Sequence, residues 1–330
     1  MEKVVEEFLR ECDNYRLKII DPLALALVNE KKNIVRSDHQ DFERLFYEQS
    51  EVKQIDMIMT TIALNKMDDF YYILSLVKNI NINIRTSNDI FLRIAIRNQS
   101  CDMIKYLLEQ GLDVCAEDNF AIKCACMYMN SSKIDYIRLL IDHGADYRIN
   151  NDFPICCAAY GSRWDTIKLL VELGCDINAG DGYIIEKIIF AKKHKMLRYA
   201  ANVGGDLTNN KFINAAIFAN SHKCLKMLMD CGADVSTVSR NAMVTIIKNG
   251  HSKIIQLLIN AGLDFSLVNG YKTTKKSQKT TRNLALLTEA GVDPVTICHI
   301  WSESNNSYGT SSGDSSNEDW FSVGQELCSD

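Results

Sequence analysis

The sequence predicts an all-α solenoid of stacked two-helix repeats, on three observations. A segment ending in Gly-x-Asp recurs along most of the chain: KYLLEQGLD ends at Asp113, YIRLLIDHGAD at Asp146, KLLVELGCD at Asp176, RYAANVGGD at Asp206, KMLMDCGAD at Asp234, QLLINAGLD at Asp264 and LALLTEAGVD at Asp293. The marking glycines, from Gly111 through Gly144, Gly174, Gly204, Gly232 and Gly262 to Gly291, lie 33, 30, 30, 28, 30 and 29 residues apart. A fixed period of this size marks a repeat architecture. Within each copy the Leu, Ile and Met pairs share one helix face, the glycine supplies the left-handed backbone that ends a helix, and the aspartate begins a turn.

Taken in order, residues 1–50 carry the helical patterns VVEEFLREC and DFERLFYEQ, with Asp21-Pro22 as a start signal before LALALV. They lack the Gly-x-Asp stop, and the expectation is an N-terminal helical cap, because the end units of an array need a polar outer face. Residues 51–300 are the array, of seven to eight units. Its first unit, 51–85, has Asn79-Ile80-Asn81 where Gly-x-Asp stands later, and asparagine is the next best residue for a left-handed cap. From Asn88 onward each unit opens with a short helix rich in small residues (Ala95, Ala125, Ala158 with Ala159, Ala215 with Ala216) and closes with a bulky one. Small residues allow close packing against the neighbouring unit, while the bulky helix fills the core. Tyr271 to Arg282, YKTTKKSQKTTR, has five positive charges and no acid. It has almost nothing to bury and is expected to be a polar capping segment. Residues 301–330 are rich in Ser, Asn and Gly with acids, and are expected to be a disordered tail.

These units resemble the ankyrin repeat. The residues that carry the resemblance are Pro154-Ile155 with Ala158-Ala159 in one unit, Gly250-His251 in another, and the endings Gly144-Ala145-Asp146 and Gly232-Ala233-Asp234. The family's Thr-Pro-Leu-His box is never intact here. From the helix-ending glycine to the start of the next unit's first helix the family spans about twelve residues. Gly111 to Phe120, Gly144 to Phe153 and Gly174 to Tyr183 each span nine. The resemblance therefore implies shortened hairpin fingers. Openings such as Asn151-Asp152-Phe153 look like those of the ankyrin proteins encoded by giant DNA viruses.

Composition removes several function classes. The hydrophobic fraction of 47% is ample for a core, yet no run of 18 apolar residues exists, so no membrane helix is expected. Seven of the twelve cysteines (Cys124, Cys126, Cys156, Cys157, Cys175, Cys224 and Cys231) fall inside repeats at positions that take small residues elsewhere. They read as buried thiols of a protein in a reducing intracellular compartment. No CxxC pair or HExxH motif occurs, and the carboxylates are periodic turn residues. No metal, cofactor or catalytic residue is expected, and the protein is not expected to be an enzyme. The net charge of -5 conceals an asymmetry: six acids and no Lys or Arg follow Trp301, so residues 1–300 carry a net +1.

In register, the positions closing the first helices include Arg97, Tyr128, Tyr160, Phe190, Phe218 and Lys248. The resemblance implies that such positions help line the concave binding face. An aromatic stripe with charged flanks is the composition of a protein-binding hot spot. The alternative is that these rings pack between units. The unit containing Tyr128 also carries three extra residues, since Phe120 to Gly144 is 24 where Phe153 to Gly174 is 21. The expected function is non-catalytic protein binding by a monomer, as a scaffold, adaptor or decoy for an unidentified protein partner. A ubiquitin-ligase substrate adaptor is the alternative that the viral resemblance suggests. Nucleic acid is a third candidate through Lys192-Lys193-His194-Lys195 and the segment 271–282, although the nearly neutral body argues against it.

Overall fold

A computed structural model describes residues 1–14, 39–77, 90–271, 277–278 and 284–302. The expectations for Asp21-Pro22, for Asn79 to Asn81, for most of the basic segment after Tyr271 and for the tail beyond Ser302 lie outside the described residues. The chain divides into two compact units, Met1–Ile184 and Ile185–Asp330.

In the first unit, α1 (Glu2–Asn14) and α2 (His39–Tyr47) precede the helix pairs α3 (Glu51–Ala63) with α4 (Met67–Leu76), α5 (Ile90–Arg97) with α6 (Cys101–Glu109), α7 (Ala116–Tyr128) with α8 (Ile134–Asp142), and α9 (Ile149–Tyr160) with α10 (Trp164–Glu172). The boundary falls within α11 (Ala179–Phe190). The second unit continues with α12 (His194–Asn202), α13 (Lys211–Phe218) with α14 (His222–Asp230), α15 (Arg240–Asn249) with α16 (Ser252–Asn260), then α17 (Leu284–Glu289) and α18 (Pro294–Ile300). The only strands among the described residues are Ser277–Gln278 and Trp301–Ser302, paired in parallel.

The core repeats as the sequence does. Each second helix buries two apolar residues three apart: Ile104 with Leu107, Ile137 with Leu140, Ile167 with Leu170, Leu225 with Leu228 and Ile255 with Leu258, all at 0% exposure. Burying such a side chain contributes about 1.5–3 kcal/mol. Every one of these helices stops the same way. At α8, Gly144 takes φ +98°, the Gly144 amide donates to Ile141 O at 2.9 Å and the Ala145 amide to Leu140 O at 3.0 Å, which satisfies carbonyls the helix end would orphan. The aspartate then folds the chain on itself. Asp146 Oδ1 accepts from the Arg148 amide at 2.9 Å, and Asp113, Asp176, Asp206, Asp234 and Asp264 repeat that bond two residues on.

The shortened fingers have a specific form. Where a hairpin would project, residues 117–119, 150–152 and 180–182 each make one turn of left-handed helix, with φ between +51° and +72°. Left-handed backbone disfavours residues other than Gly, Asn and Asp. Eight of these nine are Gly, Asn or Asp, Glu117 being the exception. The third residue of the turn reaches into the next repeat: Asn119 Oδ1 accepts from the Asp146 amide at 2.8 Å, and Asp152 Oδ2 from the Asp176 amide at 2.8 Å. Among its described residues the second unit lacks the triplet turn, but Asn269 keeps the bond, its Oδ1 accepting from the Asp293 amide at 2.9 Å.

Candidate functional site

Among the described residues no group of three His, Cys, Asp or Glu side chains could hold a metal ion, and no helix is long and apolar enough to cross a membrane. The buried thiols are packing groups. Burial pushes the Cys124, Cys126 and Cys157 thiols far up, and Cys156 and Cys175 up to about 12, so none carries a useful thiolate at neutral pH. Iodoacetamide at pH 8 should alkylate the exposed Cys231 readily. It should reach Cys115 more slowly, because desolvation and the neighbouring Asp113 raise that thiol, and Cys124, Cys126 and Cys157 only after denaturation, as read by peptide mass mapping.

The six residues expected to form the binding stripe meet different fates in the two units. In the first, Arg97 ends α5 and Tyr128 ends α7, and they touch: the guanidinium lies 3.9 Å from the Tyr128 ring centroid. The same guanidinium donates through Nε to Cys12 O at 3.2 Å and through Nη2 to Asp13 Oδ1 at 2.8 Å. Cys12 and Asp13 belong to the last turn of α1. A cation there meets both a carboxylate and the carbonyl end of the helix dipole. Tyr160, ending α9, is half-buried.

Sequence reasoning missed what holds Arg97 and Tyr128, namely α1 itself. Val5, Phe8 and Cys12, spaced three and four apart on one helix face, are buried. Phe8 lies tilted against Phe120 of α7 (5.4 Å between centroids, 59°) and edge-on against Phe153 of α9 (5.9 Å, 81°), with Lys123 Nζ 5.2 Å from its ring. At the other end, burial and the nearby Glu2 carboxylate push up the Tyr183 hydroxyl at the start of α11. Helix α1 thus crosses the layer of first helices from α11 back to α5. Its amphipathic pattern was visible in VVEEFLREC; its docking surface was not.

In the second unit Phe190 and Phe218, ending α11 and α13, are 46% and 49% exposed. Lys248 near the end of α15 places Nζ 5.4 Å from the Tyr271 ring, which Arg240 also covers at 5.8 Å. Lys192, Lys193 and Lys195 are exposed around the start of α12.

A family model for ankyrin repeats, in three copies, matches residues 92–181. Ankyrin repeat protein R599 of Acanthamoeba polyphaga mimivirus is 24% identical over 282 residues, which cover 80% of this chain and 77% of the relative. Protein R600 of the same virus is 28% identical over 258 residues, covering 75% and 81%. Among solved structures, the ankyrin repeat domain of human ASB11 is similar at 17% identity and a TM-score of 0.46, over 54% of this chain and 84% of that domain.

Proposed function

We propose that this chain, an ankyrin-repeat protein resembling those of a giant virus, is a non-catalytic scaffold that positions or sequesters a host or viral protein. Ankyrin repeats generally mediate protein–protein interaction. The observation that carries the reading to particular residues is the pair Phe190 and Phe218, two large aromatics left about half exposed at equivalent positions of neighbouring repeats. Exposed aromatic side chains supply much contact area at little entropic cost, and for that reason they anchor interfaces.

The test compares partners captured from infected or host cells by the unsubstituted chain, by Phe190→Ala/Phe218→Ala and by a Leu267→Ala control at a residue 56% exposed. Because both rings are about half exposed, the double variant should keep its circular dichroism. A partner lost from the double variant and kept by the control supports the reading, and its identity decides whether the scaffold serves a ubiquitin ligase. Equal capture by all three forms overturns it.

A further inference from the structure

We propose that the surface of the first unit beneath α1 is a helix-binding groove, that α1 is its resident occupant, and that it is exchanged for an acidic amphipathic helix of a partner. This deepens the scaffold reading and rests on it. The groove's chemistry can be read from what now fills it. An apolar seat formed by Phe120 and Phe153 takes one aromatic side chain, Phe8. Two cations stand around it: Lys123, itself paired with Asp118 at 3.0 Å, over the Phe8 ring, and Arg97 clamping the C-terminal turn through Cys12 O and Asp13 Oδ1. The occupant is acidic on balance, with Glu2, Glu6, Glu7, Glu11 and Asp13 against Lys3 and Arg10 in fourteen residues.

Two features mark α1 as exchangeable. Only three of its side chains, Val5, Phe8 and Cys12, are buried apolar groups, whereas the eight-residue α5 buries five. And while α1 sits in place, the Tyr128 hydroxyl is buried without a hydrogen-bond partner. A buried donor left unmatched weakens the complex that leaves it so. An occupant offering an acceptor there would fit the groove better than α1 does. Asp13 is 45% exposed, so the ion pair by itself contributes little; Arg97, only 12% exposed, adds holding power through its second bond, Nε to Cys12 O.

The probe is a fluorescently labelled peptide of residues 1–14, titrated into the full chain and into full-length Phe8→Ala, whose groove is intact but whose resident helix has lost its anchor. The expected result is that Phe8→Ala keeps the circular dichroism of the parent and binds the peptide at least ten-fold more tightly. Adding Arg97→Ala should remove most of that gain. No gain, or equal binding by the parent chain, overturns the proposal, since the peptide then has no groove to enter or binds elsewhere. Cooperative unfolding of Phe8→Ala also overturns it, because α1 would then be a permanent layer of the core. The scaffold reading stands or falls separately, on Phe190 and Phe218 in the other unit.

Discussion

Gly161→Ala should destabilise the first unit by about 3 kcal/mol, more than alanine at any helix-stopping glycine. The reason is space rather than backbone conformation, for Gly161 has ordinary helical angles (φ -71°, ψ -3°). A Cβ there would sit 2.1 Å from Met127 O and 3.0 Å from Met127 C, in the backbone of the preceding repeat. That carbonyl cannot swing aside freely, because Arg163 Nε donates to it at 3.1 Å. Gly144 is the instructive contrast: it has φ +98° but nothing within 4 Å of an added Cβ. Gly144→Ala therefore meets only conformational strain, about 1–2 kcal/mol. Denaturant midpoints of the two variants test the ranking, and a Gly161→Ala chain as stable as Gly144→Ala would mean that the two repeats do not approach this closely.

What the sequence disclosed and what it withheld divide along the range of the interactions. The helix stops were legible because each is local: glycine, aspartate and the preceding Leu pair lie within about a turn and a half of one another, so their chemistry is written contiguously. The clipped fingers were legible as a length, nine residues, and the Asn, Asp and Gly at 150–152 and 180–182 were the signal for the left-handed turns that occupy them. The three extra residues of the Tyr128 unit fall between Tyr128 and Ile134, where the 3-10 turn Ser131–Lys133 stands, so the helix from Phe120 to Tyr128 is not interrupted by them. Repeat register also placed Arg97 beside Tyr128. It gave no sign that α1 would cover them, because Val5, Phe8 and Cys12 specify an apolar face but not its partner. Phe120 and Phe153, which receive Phe8, lie more than a hundred residues away in sequence and are each explained equally well as ordinary core.

Asp152 separates two accounts of the contacts between repeats, one resting on charge and one on hydrogen-bond geometry. Its side chain is buried at 5% exposure and holds two partners: Oδ1 pairs with Arg148 Nε at 3.0 Å, and Oδ2 accepts from the Asp176 amide at 2.8 Å. The arginine side chain is 56% exposed, and an ion pair with one end in water contributes little, so Arg148→Ala should cost less than a substitution of Asp152 that removes the acceptor. The amide is the more demanding partner. In the preceding repeat Asn119, neutral and in the same left-handed conformation, accepts from the Asp146 amide at the same 2.8 Å. Asp152→Asn should therefore be nearly silent. Asp152→Ala should cost about 2 kcal/mol, part from the amide left without its acceptor and part from alanine forced to φ +63° without a side chain suited to it. Equilibrium denaturation of the three variants decides between the accounts. If Asp152→Asn falls with Asp152→Ala, charge holds the repeats together at this turn; if it stays with the parent, the carbonyl-like acceptor does, and the triplet turns are hydrogen-bonding hooks that an aspartate or an asparagine can serve alike.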